Sequence, residues 1–282
     1  MRSPLYAEIV RADGARPSRY ALVLHGVFGS SKNWRLFMRR LAARCPSWGF
    51  VLADLRGHGR SLGLSAPHGV VEAAQDLVAL GPDALGLDAP IVGVVGHSLG
   101  GKIALAYAAL RATELDQLWT LDSQPGARSE ASPPGEPDHV LEALLALPQR
   151  FGARRDFDAL LAARGLAPEV VAWLAMNVVR DGDGYALGLE LSTIRALLDD
   201  YFARDLWPEL EREYARREVH VVVGGRSPVW SGPSRARLDR LAAASSRLHV
   251  HALEDAGHWV HVDAPEALLE LMARELARPA RG

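Results

Sequence analysis

Along the chain, short apolar runs alternate with longer stretches of helical spacing. Residues 5–10 alternate apolar and polar as an edge strand does, and runs at 20–24, 50–53, 91–95, 115–122, 219–225 and 248–253 have the length and apolar character of strands in a sheet. The run at 91–95 carries no charge and is rich in β-branched residues, which predicts a central strand buried on both faces. Between the runs, residues 32–44 place Trp34, Phe37, Met38 and Leu41 on one helical face. Further helices are expected at 70–80, in the alanine-rich stretch after Gly101, and from Pro265 through Leu268, Leu269, Met272 and Leu276. Strand and helix in alternation predict an α/β fold with a mostly parallel central sheet.

The alternation breaks after residue 124. Pro133, Pro134, Gly135 and Pro137 mark a linker, and residues 138–216 carry only helical signals. The expected organisation is therefore a core of residues 1–123 and 217–282 with a helical cap inserted at 124–216. Such a cap belongs over the ligand-binding edge of the sheet, with Trp173, Met176, Asn177, Tyr185 and Leu187 as candidate roof residues or, equally, as packing within the cap.

Composition narrows the function. The 282 residues hold 32 basic and 34 acidic side chains, a balance in which nothing argues for a nucleic-acid or anionic-membrane partner; no nucleic acid is expected. No apolar run approaches the roughly 18 residues of a membrane span, and Met1–Glu8 lacks the hydrophobic segment of a secretory signal, so a cytoplasmic protein is expected. Cys45 is the single cysteine, which excludes an internal disulfide and a cysteine-built metal site; near the end of a helix it reads as a small buried hydrophobe. Lys32 and Lys102 are the only lysines, a composition bias rather than a phosphate-binding device. The ten histidines show no pair with ligand spacing backed by a third group, and neither metal nor cofactor is expected.

The candidate chemistry centres on Gly96-His97-Ser98-Leu99-Gly100, a G-x-S-x-G pattern between the central strand and the alanine-rich helix. This spacing places the serine on a strained strand-to-helix turn, with glycines where side chains would strike the neighbouring strand and helix. The helix beyond Ser98 aims unpaired N–H groups at the same point. Three further segments accompany it: His25-Gly26-Val27-Phe28-Gly29 after the second run, Asp54-Leu55-Arg56-Gly57-His58-Gly59-Arg60-Ser61 after the third, and Gly257-His258 after the last. In this order the four segments resemble the α/β-hydrolase superfamily over essentially the whole chain. A closer resemblance is to the small bacterial YbfF-like esterases and the abhydrolase-eleven group, carried by residues 25–31, Gly224-Gly225-Arg226-Ser227-Pro228-Val229 and 256–261.

The resemblance implies an α/β-hydrolase fold with Ser98 as nucleophile, His258 as base, and the amides of Val27 and Leu99 as oxyanion donors. Phe28, Trp173, Met176, Tyr185 and Trp259 are then candidates to contact substrate. Many members carry the acid after the penultimate strand, yet the loop at 224–230 holds no carboxylate. Asp122, 24 residues beyond Ser98 at the end of the next strand, is the expected acid, in the place the closer group uses; Asp255 is the weaker alternative. His258 is preferred to His261, which points into the final helix. Asp54, Arg56, His58, His25 and His97 read as structural, and His220, His249 and His251 as strand positions. The expected activity is hydrolysis of short to medium acyl esters through an acyl-enzyme. Thioesterase, carbon–carbon hydrolase or cofactor-free perhydrolase chemistry on the same residues remains open, as does a low-turnover receptor. The partner is a small ester or thioester, and no sequence signal sets an oligomeric state.

Overall fold

The computed structural model of the protein describes residues 5–128, 135–212, 217–230 and 232–278. The apolar runs become strands β1 (Ala7–Val10), β2 (Arg19–Leu24), β3 (Trp48–Ala53), β4 (Ile91–His97) and β5 (Gln117–Leu121). Then follow β6 (Arg150–Phe151), β7 (Val178–Asp181), β8 (Gly184–Leu187), β9 (Glu218–Gly224) and β10 (Leu248–Leu253). Seven of them form one sheet in the order β1-β3-β2-β4-β5-β9-β10. Only β1, at the edge, runs antiparallel to its neighbour.

Because side chains alternate across a strand, each run feeds two cores. Leu22, Leu24, Val94 and Leu118 pack on one face with helices Val70–Val78 and Leu99–Leu110. Ala21, Val23, Val95 and Trp119 pack on the other with helices Arg35–Arg44 and Pro265–Leu276. Trp34, Phe37, Met38 and Leu41 are all buried there, and Cys45 is buried at the end of the helix. The register matters for function: Leu24 lies opposite Gly96, His97 opposite Leu121, and Gly224 opposite Leu253. The parallel strands thus end together, and the loops that follow them open side by side along one edge, where open α/β sheets bind ligands.

The segment between β5 and β9 departs from the purely helical expectation. Beside its helices it holds a three-stranded antiparallel sheet, β6-β8-β7. Asp181 pairs with Gly184 across a two-residue loop whose first residue, Gly182, has φ +58°, the geometry a type II′ hairpin requires. The Gly182-Asp183 pair suits that turn, but Val179, Arg180 and Asp181 are exposed and show no apolar alternation. The Pro133-Pro134 pair of the expected linker lies outside the described residues. Lys102, buried on helix Leu99–Leu110, ties this helix to the segment between β5 and β9: its Nζ donates to the carbonyls of Gly126, Tyr201 and Arg204 at 2.5–2.8 Å. No helix among the described residues is long and apolar enough to cross a membrane.

Two buried histidines link stability to pH. His220 stacks on Trp119 with ring centres 4.0 Å apart, and its Nδ1 lies 3.1 Å from Nε2 of His251. Burial, and then its neighbouring histidines, push its pKa down to about 2. Burial likewise pushes His58 down to about 3. A depressed folded-state pKa means that the unfolded chain takes up the proton first, so stability is full above about pH 6.5 and is lost on acidification towards the folded values. Each imidazole is expected to add about 1.4 kcal/mol per pH unit to the slope of unfolding free energy below pH 6.5. Denaturant titrations at pH 7, 6 and 5 measure that slope, and His220→Gln should remove one such increment. An unchanged slope in the variant refutes the assignment to His220.

Candidate active site

Ser98 sits between β4 and helix Leu99–Leu110 with φ +52° and ψ −118°. A Cβ at Gly96 would come within 2.0 Å of the Gly100 carbonyl oxygen, and one at Gly100 within 2.6 Å of the Leu24 and His25 carbonyl oxygens, so the turn closes only with glycine at both positions. The Ser98 N–H donates to Leu121 at 3.1 Å, and the Ser123 hydroxyl donates to the Ser98 carbonyl at 2.7 Å. Three non-glycine residues among those described have positive φ: Phe28, Ser98 and Asp122. Such conformations cost about 1–3 kcal/mol each and persist where the surroundings over-determine them.

His258 Nε2 lies 3.0 Å from Ser98 Oγ, and His258 Nδ1 lies 2.7 Å from Asp122 Oδ2. The Asp122 side chain is fully buried and also accepts from the Gly224 N–H at 3.1 Å and the Ser227 hydroxyl at 2.5 Å. With the Gly224 N–H and the Ser227 hydroxyl donating to it, this carboxyl group presents an acceptor oxygen to His258. The proton of the neutral imidazole therefore resides on Nδ1, and Nε2 accepts from the serine hydroxyl. His97 Nε2 donates to the His258 carbonyl at 2.8 Å and fixes the loop, and Gly257 N–H donates to Asp263. His261 makes neither catalytic-type contact; it stacks on Trp34 at 4.2 Å, and burial pushes its pKa down to about 4.

The loop after β2 lies opposite. Gly29 N–H donates to the Gly26 carbonyl at 3.1 Å, closing a turn over Gly26–Gly29. The Val27 amide donates no hydrogen bond among the described residues, and Leu99, the first residue of its helix, has no intrahelical acceptor for its N–H. The charged loop after β3 holds these segments together. Asp54 accepts from the Ser31 and Arg60 amides, Arg56 pairs with Asp76 at 2.8 Å, and His58 Nε2 accepts from the Phe28 N–H at 3.2 Å.

A cavity of about 470 Å³ opens above Ser98, within the range of small-molecule sites. Val27, Phe28, Trp173, Met176 and Trp259 line it, and Trp173 packs against both Phe28 and Trp259 at centroid distances of 6.3 and 5.4 Å. Three expected roof residues are elsewhere. Tyr185 lies on β8, pairs with Phe151, and turns its ring beneath the Arg180 guanidinium. Leu187 packs into the core, and Asn177 is buried with its side-chain amide on the Phe28 carbonyl. Ser227 is the polar contact that sequence reasoning missed. Its loop holds no carboxylate, and its hydroxyl occupies the position from which a donor reaches Asp122.

A hydroxyl, an imidazole and a buried carboxyl group in hydrogen-bonded series, at the carboxyl edge of a mostly parallel sheet and beneath an apolar cavity, define a protein of the α/β-hydrolase class. The family model described as the alpha/beta hydrolase family matches residues 21–271, and the chain belongs to that family. It is 28% identical over 278 residues to the protein named sn-1-specific diacylglycerol lipase ABHD11 of Mus musculus, covering 97% of this chain and 85% of that protein. It is also 28% identical over 258 residues to Esterase YbfF of Escherichia coli (strain K12), covering 90% of this chain and 92% of that protein. Among solved structures, a marine microorganism esterase superposes with a TM-score of 0.80 at 19% identity, covering 96% of this chain and 98% of the other, a likeness of fold.

Proposed function

We propose that the chain is a serine esterase that cleaves carboxylic esters of short to medium acyl groups, with Ser98 as nucleophile, His258 as general base and Asp122 as its acid. The observation that carries this reading is the unbroken series from Ser98 Oγ through both nitrogens of His258 to Asp122. In the first half-reaction Ser98 Oγ attacks the ester carbonyl while His258 Nε2 takes its proton; Asp122 stabilises the imidazolium. The N–H groups of Val27 and Leu99 donate to the oxyanion. His258 then protonates the departing alkoxide, and water repeats the sequence on the acyl-enzyme, releasing the acid and restoring Ser98. Phe28, Trp173, Met176 and Trp259 serve as the apolar wall for the acyl group, and residues 124–216 serve as the cap that closes the sheet edge. The two relatives, named as an esterase and a diacylglycerol lipase, favour carboxylic esters over other bonds.

Hydrolysis of p-nitrophenyl esters of increasing acyl length tests the reading. Sustained turnover is expected, with kcat/KM falling once the acyl chain outgrows the cavity. A folded protein with no sustained turnover at any length overturns the carboxylic-ester reading in favour of thioesters or of a binding role.

A further inference from the structure

Asn177 has no part in the chemistry above, yet it joins the insertion to the oxyanion loop. It ends the 3₁₀ turn Ala175–Asn177, is 6% exposed, and its Nδ2 donates to the Phe28 carbonyl at 2.7 Å. Its own main-chain carbonyl accepts from the Gly188 N–H at 2.8 Å, which fixes it within the small sheet's framework. At the other side of Phe28, the N–H donates to His58 Nε2; the His58 Nδ1–H donates to the Arg56 carbonyl at 2.9 Å, so this imidazole is a committed acceptor. Both main-chain groups of Phe28 are therefore held, and they need to be. Phe28 is the third residue of the Gly26–Gly29 turn with φ +59°, a position that ordinarily takes glycine or asparagine.

The same turn aims the oxyanion donor. The Gly26 carbonyl and the Val27 N–H belong to one trans peptide and point in opposite directions. The carbonyl is held by the Gly29 N–H and by His25 Nδ1 at 2.8 Å, while His25 Nε2 accepts from the Leu55 N–H. With the carbonyl fixed, the N–H is fixed on the opposite side. We propose that Asn177 is a positioning residue: its side-chain amide locks Phe28 in the left-handed conformation that keeps the Val27 N–H on the oxyanion. The oxyanion site is then complete only while the insertion is seated on the core. This inference rests on the serine-esterase reading.

The test compares wild type with Asn177→Leu, which keeps the branched heavy-atom skeleton and removes the donor. Steady-state kinetics on a p-nitrophenyl ester are paired with inhibition by an alkyl trifluoromethyl ketone, whose serine adduct carries an oxyanion. Losing one oxyanion donor outright costs about 100- to 1,000-fold. A misdirected donor is expected to lower kcat by about 10- to 100-fold with KM within about twofold, and to weaken the ketone by a similar factor. Thermal unfolding establishes that the variant is folded, and the isosteric Asn177→Asp covers the case in which the leucine does not fold. A folded variant whose kcat stays within about threefold of wild type, or whose loss is confined to KM, overturns the proposal. Ser98→Ala separates the two failures. If it retains turnover, the serine reading falls; if it is inactive while Asn177→Leu is active, only the tether falls.

Discussion

Ser98→Ala is expected to lower kcat on p-nitrophenyl esters by roughly 10⁵-fold or more, with the protein still folded and KM little changed. The size of the effect follows from the role proposed for the hydroxyl: without it, the proposed mechanism has neither an acyl-enzyme nor a proton transfer to His258. On the same proposal, the residual rate over uncatalysed hydrolysis would come from binding and from the Val27 and Leu99 amides. Stability should move little. Alanine keeps a Cβ at φ +52°, so the strain of the turn stays in place, and the lost contact is a single hydrogen bond to His258, worth about 1 kcal/mol. Thermal unfolding beside the kinetics separates lost chemistry from lost fold. A variant that retained more than about a hundredth of the wild-type rate would exclude Ser98 as the nucleophile.

The parts of this site that the sequence made legible are those that the backbone alone dictates. The Gly96 and Gly100 positions admit no Cβ, so G-x-S-x-G marks a close approach of three elements whatever the reaction. Burial on both faces imposes the apolar character of β2, β4 and β5, and their ends define the edge where Ser98 and Asp122 emerge. Side-chain contacts between distant segments leave no such trace. Ser227 reaches Asp122 across 105 residues and Asn177 reaches Phe28 across 149, and neither residue type is forced by its own local structure. The β7–β8 hairpin was hidden for another reason. Its strands are four residues long and largely exposed on β7, so the periodicity of a half-buried strand never develops. Tyr185 illustrates the cost: its chemistry suited a binding site, but the hairpin directs it to Arg180.

Asp122→Asn is expected to lower kcat by about 10⁴-fold, and the surrounding donors explain why. The Gly224 N–H can only donate and holds the Oδ1 position, whereas the Ser227 hydroxyl and His258 Nδ1 share Oδ2; the amide oxygen of the variant is therefore drawn to Gly224, and its NH₂ faces His258 Nδ1 and the Ser227 hydroxyl, which can turn to accept. Nδ1 must then accept, the imidazole proton moves to Nε2, and Nε2 can no longer accept the Ser98 hydroxyl proton as the proposed mechanism requires. Ser227→Ala should act in the same direction but more weakly, by about tenfold, because it removes one charge-assisted hydrogen bond and leaves both the Gly224 N–H and the carboxylate in place. Asp255→Asn is the counter-experiment. Asp255 is exposed, and its bond with Arg226 is made by the main-chain carbonyl, so the substitution should leave kcat within about twofold. If Asp255→Asn were crippling and Asp122→Asn active, the imidazole would be served from the other side, and the buried carboxyl group at the end of β5 would be reduced to a structural anchor for the Gly224–Ser227 loop.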